Sequence, residues 1–331
     1  MKRQITVPFF IPHAGCPHTC VFCNQNRISG KIAMPEPSSI SWTVRRHRAS
    51  AADGIHTEIG FFGGTFTALP VSVQEAYLTE AKRLKDSGTV SAIRLSTRPD
   101  ALEDMILDLL SFYSVDTVEL GVQSFHDEVL RASHRGHSVK DSYTAHDALK
   151  KRGFQTGIQL MSGLPLDTHN RSAESARIAA SLAPDCVRIY PAVVIRNTKL
   201  HKMYASGQYS PQSLEEAVQT AAAMLRIFDE KSVPVIRTGL HPMEDREHNS
   251  IIAGPYHTAF GFLVKSRMRR DHAEEMIRSF PGLNDVQSVT LTVPPEYHEE
   301  YIGHRRENIH YLNHLFGISI RIIRGVSFSV S

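Results

Sequence analysis

The sequence is poor in cysteine, in long apolar runs and in net charge. Only four of its 331 residues are cysteines, and three of those lie within eight residues of one another. Three clustered cysteines cannot all pair, and we expect no targeting segment before the first predicted strand, so a disulfide-stapled secreted fold is not expected. No run approaches the roughly 20 apolar residues of a membrane span, so no membrane partner is expected. The net charge of +3 is too small to identify a nucleic-acid binder. We expect a globular protein of the reducing cytoplasm.

Short apolar segments alternate with longer amphipathic ones along most of the chain. The predicted strands are Ile5–Ile11, Glu58–Phe62, Ala92–Ser96, Thr117–Val122, Thr156–Met161, Val187–Ala192 and Val233–Arg237. The predicted helices between them include Ser72–Lys85, Pro99–Ser111, Ser138–Arg152 and Ser213–Asp229. This alternation implies parallel pairing with right-handed crossovers. Six or seven such units predict an α/β fold, a partial or near-complete β/α barrel, with its chemistry at the C-terminal ends of the strands.

The pattern changes after about Gly282. The predicted elements there are a strand, two helices and a strand, at Val289–Val293, Glu296–Tyr301, Glu307–Leu315 and Ile318–Ile323. This β-α-α-β order resembles the core of a KH domain, which clamps nucleotides with a GXXG loop between its helices. The matching run is Gly303-His304-Arg305-Arg306, with arginine at the second glycine. We expect a barrel over 1–260, a basic connecting segment over 261–283 and a small KH-like domain over 284–331. A structural cap that only shares the topology is the alternative.

The clustered cysteines have the spacing C-x3-C-x2-C. They are Cys16, Cys20 and Cys23. A [4Fe-4S] cluster usually takes four protein thiolates, so three would leave one iron open to bind a small molecule. The alternative is a zinc knuckle with His13 or His18 as the fourth ligand, although zinc sites usually pair two such knuckles and no second pair exists. The remaining cysteine, Cys186, is expected to be a buried core thiol.

This cysteine spacing resembles the signature of the radical S-adenosylmethionine (SAM) superfamily, and the resemblance extends over about residues 5–260. In that family the amino and carboxylate groups of SAM chelate the open iron. An electron from the reduced cluster cleaves SAM to methionine and a 5′-deoxyadenosyl radical, which abstracts a substrate hydrogen. The resemblance therefore implies a [4Fe-4S] cluster, SAM, and an external one-electron reductant of the flavodoxin or ferredoxin type.

Strand-end motifs strengthen the resemblance, towards the radical-SAM half of the Elongator catalytic subunit and the oxygen-independent coproporphyrinogen oxidases. They are Phe61-Phe62-Gly63-Gly64-Thr65-Phe66, Ser96-Thr97-Arg98-Pro99-Asp100, Glu119–Phe125 with Arg135 twelve residues after Gln123, and Gln159–Pro165. Glycine permits close backbone approach, and glutamine and arginine can bond ribose and carboxylate. The resemblance implies SAM contacts by Phe10, Gly63, Gly64, Thr65, Ser96, Gln123, Arg135 and Gln159. A turn, a strand-end cap and a surface arginine are the alternatives for these positions.

Substrate recognition is expected at the ends of the last two barrel strands and in the Gly254–Gly261 segment, which resembles the Elongator-like branch. The candidate residues are Tyr190, Arg196, Arg237, His241, Tyr256 and His257, and no catalytic residue is predicted. We expect no acetyltransferase domain like that of the Elongator subunit, because the chain is too short to include one. We expect a radical SAM enzyme acting on an RNA base, in tRNA for example, or on a related modified nucleobase. The alternatives are a lyase-type enzyme acting on a free small molecule such as a queuine-like base, and a non-catalytic iron–sulfur RNA-binding module.

Overall fold

The computed structural model describes residues 4–11, 16, 18–23, 34–50, 54–241 and 250–331. In this part of the chain, seven parallel strands form one sheet, and their order in the sheet follows their order in the sequence. The strands of this sheet are β1 (Gln4–Phe10), β2 (His56–Phe62), β3 (Ala92–Thr97), β4 (Thr117–Gln123), β5 (Gln155–Ser162), β6 (Cys186–Pro191) and β8 (Val235–Thr238). Because each strand follows its predecessor in space and the outer strands β1 and β8 remain edges, the sheet is an open, curled half-barrel. The predicted partial β/α barrel is confirmed.

Helices follow the strands, and most of them cover the outer face of this sheet. They are α1 (Ser39–Ala49), α2 (Val71–Asp86), α3 (Asp104–Phe112), α4 (Asp127–Ala132), α5 (Val139–Lys151), α6 (His169–Ser181), α7 (Lys199–Ala205), α8 (Leu214–Glu230) and α9 (Phe260–Arg278). Ser138 and Ser213 begin α5 and α8 with capping boxes. A short antiparallel pair, β7 (Val194–Ile195) with β9 (Ile251–Ala253), lies beyond the end of β6. Within the described ranges no helix combines the length and the apolar composition needed to cross a membrane.

Side chains alternate between the two faces of the half-barrel strands. In β3, Ile93 and Leu95 are buried in the core between sheet and helices, whereas Arg94 and Ser96 point to the inner face. The side chains of β4 alternate in the same way, and Val118 on its outer face contributes to that apolar core. The sheet therefore presents an apolar outer face to the helices and a polar inner face to the barrel interior.

Helix α3 begins later than the predicted Pro99–Ser111. Its first residue is Asp104, with Glu103 in an extended conformation before it. The Arg98 guanidinium donates two hydrogen bonds of 2.8 Å to the Asp100 carboxylate, which holds the intervening residues in a turn. The strand-end motif is thus a structured corner, and the helix starts only after it.

The C-terminal residues form a small α/β module with the predicted β-α-α-β order. Its elements are β10 (Ser288–Val293), α10 (His298–Ile302), α11 (Glu307–Phe316), β11 (Ser319–Arg324) and β12 (Ser329–Val330). Strand β10 pairs in parallel with β11 and antiparallel with β12. Helix α9 joins the module to the half-barrel, because Phe260 and Val264 belong to the barrel core while Ala273 and Ile277 belong to the core of the module.

The basic run Lys265–Arg270 lies on α9 and is bound in ion pairs. Arg267 contacts Glu215 of α8 at 2.6 Å, and Arg269 contacts Glu300 of α10 at 3.1 Å. These ion pairs connect α9 to α8 on one side and to α10 on the other, so the basic run stabilises the packing of these helices.

Candidate functional site

The three cysteines lie on the loop after β1, at the C-terminal edge of the sheet. Cys20 is buried, and Cys16 and Cys23 are half-buried; none of the three forms a disulfide. The Cys16 sulfur lies 3.1 Å from the Thr65 hydroxyl, directly after β2. The Cys23 amide donates to the Cys20 carbonyl at 3.1 Å, which closes a turn across the C-x2-C half of the motif.

The two residues between Cys20 and Cys23 anchor this loop. The Val21 amide donates to the Ser133 carbonyl at 3.0 Å, and the Val21 carbonyl accepts from the Leu200 amide at 2.8 Å. The Val21 side chain is buried with Val194 and Leu200, and Phe22 packs beside it. The loop is therefore held between the end of α4 and the start of α7, across the edge where the strands end.

The segment Ser133–Gly136, here called the loop platform, supports the cysteine loop from below. The Arg135 Nη1 donates to the Cys20 sulfur at 3.4 Å. The His18 ring covers Gly136, where an added Cβ would lie 2.2 Å from His18 Cδ2. Gly136 also has φ +85°, a conformation that favours glycine. Only glycine at this position lets the His18 ring of the cysteine loop lie so close to the backbone of the platform.

The strand-end motif of β3 holds the loop platform in place. Arg98 is 2% exposed and donates through Nη2 to the Arg135 carbonyl at 2.5 Å. Burial would raise the pKa of the Asp100 carboxyl, but its hydrogen bonds from Arg98 outweigh burial and hold that pKa below its usual value. Asp100 also lies 3.9 Å from His18 Nε2. Arg98 and Asp100 thus connect β3 to the platform and to the cysteine loop.

His137 follows the platform and is buried beneath it. Its Nε2 lies 3.2 Å from the Val122 carbonyl, and because a carbonyl only accepts, this contact places a proton on Nε2. Burial, and then the positive charges of Arg135 and Arg98, lower the pKa of His137 to about 3. The ring is therefore neutral at physiological pH.

Two of the predicted SAM-binding side chains meet above Gly121 in β4. A Cβ on Gly121 would lie 2.8 Å from Arg135 Nη2 and 2.9 Å from Gln123 Nε2. Gln123 has φ +71° and ends β4 after an irregularity in its pairing with β5. The predicted Gln–Arg pair is thus brought together in space.

The glycine-rich segment after β2 lies against the end of β1. Gly63 has φ +106°, and its Cβ position is 2.8 Å from the Ile11 carbonyl oxygen and 3.0 Å from the Phe10 ring. Gly64 is half-buried, and Thr65 is buried against Cys16. Phe10 and this segment therefore share one corner of the site with the cysteine loop.

Gln159 and Ser96 are also in contact. Gln159 Nε2 donates to Ser96 Oγ at 3.2 Å and to Glu119 Oε2 at 2.9 Å. Both amide hydrogens are therefore used, so Gln159 Oε1 is available as an acceptor. Because Ser96 accepts from Gln159, its hydroxyl hydrogen is available as a donor.

An ion network below this pair was missed by the sequence analysis. Arg94 joins Glu58 and Glu119, each at 2.9 Å, and Arg188 binds Glu119 with two bonds of 2.7 and 2.9 Å. Burial would raise the pKa of Glu119, but Arg188, then Arg94 and Gln159, hold it below its usual value. The available signal was the occurrence of charged residues at inward positions of otherwise apolar strands.

The substrate candidates Tyr190, Arg237 and His241 gather at the last strands of the half-barrel. Arg237 is the register partner of Arg188 across the β6–β8 ladder. Burial raises the pKa of Tyr190 against the opposing effect of Arg188. Burial, and then Arg237 and Arg188, lower the pKa of His241. These three candidates and Arg188 therefore share one electrostatic environment.

The other substrate candidates lie near β7, β9 and the C-terminal module. The Arg196 amide donates to the Ser250 carbonyl at 2.7 Å, directly after β7. The Tyr256 amide donates to the Gly254 carbonyl at 2.9 Å. The His257 ring lies edge-on to the His304 ring, with centroids 5.8 Å apart. This contact places the Gly303–Arg306 loop of the module beside the Gly254–Gly261 segment.

The donor set of the cysteine loop suits a cluster. Among the described residues, no three His, Cys, Asp or Glu side chains converge as they would around a single metal ion. A cubane does not require such convergence, because each thiolate binds a different iron. Thr65 and Arg135 lie close to two of the sulfurs, so polar partners for bound thiolates are in place.

Two models of known protein families match this chain, and named proteins resemble it in sequence. The profile of the Radical SAM superfamily matches residues 10–179, and that of the Radical SAM C-terminal domain matches residues 184–270. A tRNA uridine(34) acetyltransferase of Methanocaldococcus infernus is 30% identical over 246 residues, covering 62% of this chain and 46% of that protein. Elongator complex protein 3 of Danio rerio is 28% identical over 216 residues, covering 56% of this chain and 40% of that protein. This chain spans about half the length of the curated relatives it matches.

A solved structure shares the fold. The structure of the archaeal Methanocaldococcus infernus Elp3 with an N-terminal deletion aligns with a TM-score of 0.66 and 22% identity, covering 82% of this chain and 64% of that one. The predicted resemblance to the Elongator-like branch is confirmed. Since the superfamily profile covers half of the chain and the half-barrel places the three-cysteine loop at its strand ends, this chain belongs to the radical SAM superfamily and is an enzyme of that class.

Proposed function

We propose that this enzyme holds a [4Fe-4S] cluster through Cys16, Cys20 and Cys23 and binds SAM across the C-terminal strand ends. The observation that carries the proposal is the docking of the cysteine loop, with Cys16 against Thr65 and Cys20 against Arg135. Once reduced by an external flavodoxin- or ferredoxin-type donor, a cluster of this kind with SAM supplies a 5′-deoxyadenosyl radical for hydrogen abstraction.

The chain's own residues bind and orient SAM in this proposal. The segment at Gly63 and Gly64 offers its backbone to the amino group of SAM, since glycine allows close approach. Gln159 Oε1 and the Ser96 hydroxyl hydrogen face the adenosine as acceptor and donor, because their other polar atoms bond each other and Glu119. Gln123 contributes a further amide from β4.

The first test is anaerobic purification and reconstitution, followed by measurement of iron, zinc and 5′-deoxyadenosine. We expect about four irons per chain, and formation of 5′-deoxyadenosine on reduction with SAM. Each of the variants Cys16→Ala, Cys20→Ala and Cys23→Ala should lose the broad visible absorption and SAM cleavage. Cys186→Ala is the matched control and should retain both, because Cys186 is buried beside Arg94 in the barrel interior. Stoichiometric zinc without iron contradicts the proposal.

For the substrate, we propose an RNA base, in tRNA for example, or a related modified nucleobase. The Gly303–Arg306 loop supports this proposal because it lies beside His257, close to the predicted substrate segment. Arg305 and Arg306 are exposed, and neither forms an ion pair with any other described residue. Two exposed guanidinium groups on this loop suit phosphate binding. Relatives named for tRNA uridine(34) acetylation point the same way.

The substrate proposal predicts salt-sensitive RNA binding. Phosphate contacts release counterions, so the affinity for tRNA and short single strands should fall as salt rises. The double variant Arg305→Ala/Arg306→Ala should bind more weakly, with a slope of log K against log salt reduced by about 1.4 for two contacts on single strands. Arg45→Ala/Arg46→Ala removes two exposed charges from α1 and is the charge-matched control. An unchanged slope in the Arg305/Arg306 variant contradicts this role of the loop.

A free small molecule is the second candidate substrate, and one observation favours it. Tyr190, Arg237 and His241 share the barrel interior with Arg188, where they could enclose a compact molecule. If neither RNA ligand binds at low salt, a screen of free nucleobases for 5′-deoxyadenosine formation becomes the deciding experiment. RNA binding without SAM cleavage by the reconstituted protein would contradict the proposed cluster and SAM chemistry.

A further inference from the structure

The guanidinium of Arg135 is buried, and no carboxylate of the residues that the structure describes forms an ion pair with it. The residue is 8% exposed, with Nη1 donating to the Cys20 sulfur at 3.4 Å and Nη2 to the Gly121 carbonyl at 2.5 Å. The nearby carboxylate of Asp100 is bound in a fork by Arg98. In the described part of the chain no carboxylate forms an ion pair with Arg135. A buried cation without a counter-charge is costly, so an anion is expected next to it.

The Cys20 sulfur meets that requirement once it is a thiolate ligand of iron. We infer that Arg135 is a positioning residue for the cluster: it holds the Cys20 thiolate by a charge-assisted hydrogen bond and raises the cluster's reduction potential. This inference rests on the proposed cluster site. It adds a second role to the SAM contact that the resemblance implies for Arg135.

Arg135 raises the reduction potential because reduction adds a negative charge to the cluster. One electron enters the cluster from the external donor, and no bond or proton changes. Hydrogen bonds to the sulfurs are among the factors that set the potential of an iron–sulfur cluster. A fixed cation at one sulfur stabilises the reduced, more negative cluster more than the oxidised one, and the low dielectric of the buried site strengthens this effect.

The surroundings fix the guanidinium at this place. The Arg135 carbonyl accepts from Arg98, and the Arg135 amide donates to the Leu130 carbonyl at 2.9 Å. Gly121 leaves room for the guanidinium, since a Cβ there would lie 2.8 Å from Nη2. The side chain can therefore bond Cys20 without rearrangement of β4.

The test is a redox titration of the reconstituted protein without SAM, monitored by electron paramagnetic resonance of the reduced cluster. Arg135→Gln removes the charge, Arg135→Lys retains it, and Gly121→Ala retains Arg135 but displaces its guanidinium. We expect a lower midpoint potential in Arg135→Gln and in Gly121→Ala, and a smaller shift in Arg135→Lys. Circular dichroism confirms folding, and Gly121→Ala carries the test if Arg135→Gln fails to fold.

SAM affinity, measured by equilibrium dialysis with the oxidised cluster, separates the two roles of Arg135. We expect Arg135→Gln to weaken SAM binding as well as to lower the potential, because the resemblance places the same guanidinium on SAM. Gln123→Asn is the matched control, which should weaken SAM binding and leave the potential unchanged; asparagine tolerates the left-handed conformation of this position. An unchanged midpoint potential in both Arg135→Gln and Gly121→Ala overturns the inference. If the parent protein loads its cluster and cleaves SAM, such a result leaves the proposed function intact.

Discussion

Glu119 Oε2 accepts a hydrogen bond from Gln159 Nε2 at 2.9 Å, inside the half-barrel. Each oxygen of this carboxylate accepts two hydrogen bonds, from Arg94 and Arg188 at Oε1 and from Arg188 and Gln159 at Oε2. Because an ionised carboxylate only accepts, this contact decides which end of the Gln159 amide faces Glu119. The ion network below the site therefore orients a residue proposed to contact SAM.

Neutralising this carboxylate should destabilise the protein strongly. Glu119→Gln keeps the shape but leaves Arg94 and Arg188 with one fewer buried negative charge. We expect a loss of about 3–5 kcal/mol in the free energy of unfolding, measured by anaerobic urea denaturation. Glu128→Gln is the control with the same chemical change at an exposed ion pair with Arg171. That control should lose no more than about 1 kcal/mol. Equal losses in the two variants contradict this account of the network.

A methyl group on the loop platform should displace the cysteine loop. Gly136→Ala places a Cβ 2.2 Å from the His18 ring, so we expect slower or incomplete cluster loading in addition to backbone strain. Gly153→Ala is the control, because Gly153 has φ +80° and no atom within 4 Å of its added Cβ. Both variants should lose about 1 kcal/mol of stability through strain. Only Gly136→Ala should lose bound iron, measured per chain after reconstitution. Full iron content in that variant contradicts the proposed packing.

The neutral His137 should make stability depend on pH. Its folded-state pKa of about 3 lies below the reference value of 6.5, so between these values the unfolded chain binds a proton that the folded chain does not. Stability should therefore be highest above about pH 6.5 and fall as the pH approaches 3. His137→Gln keeps a donor for the Val122 carbonyl and should reduce the slope by up to about 1.4 kcal/mol per pH unit. Urea denaturation from pH 4 to 7 measures this slope of stability against pH. A variant that keeps the parental slope shows that other groups cause it.

The Gly303–Arg306 loop should tolerate glycine at its last position. Arg306 has φ +64° and ψ +23°, the left-handed conformation that glycine adopts without strain. We expect Arg306→Gly to leave the stability unchanged or to raise it by up to about 1 kcal/mol. Gly317→Ala is the reciprocal control in the same module, at φ +68° with no atom near the added Cβ, and should lose about 1 kcal/mol. Thermal denaturation compares the two. A clear loss in Arg306→Gly shows that the arginine side chain stabilises the loop.

Local patterns in the sequence were sufficient to predict the half-barrel. A strand such as Thr117–Gln123 is recognisable because an apolar residue at every second position must face the helices, and this period needs no knowledge of distant residues. The cysteine spacing and the strand-end motifs are also short, so they can be recognised in the sequence alone. The end of α3 closest to the site was less predictable, since the turn before Asp104 depends on a side-chain fork from Arg98 to Asp100.

The sequence by itself determined the class of the enzyme, the parallel order of its strands and the residues that gather at their ends. Only the tertiary structure decided that Arg135 lies at Cys20, that His18 covers Gly136, and that one helix, α9, belongs to two cores. Arg135 and Cys20 are 115 residues apart in the chain. Contacts between such distant residues depend on how the sheet curls and how the loops cross its edge, and these are set by the packing of the whole chain and not by any local sequence pattern.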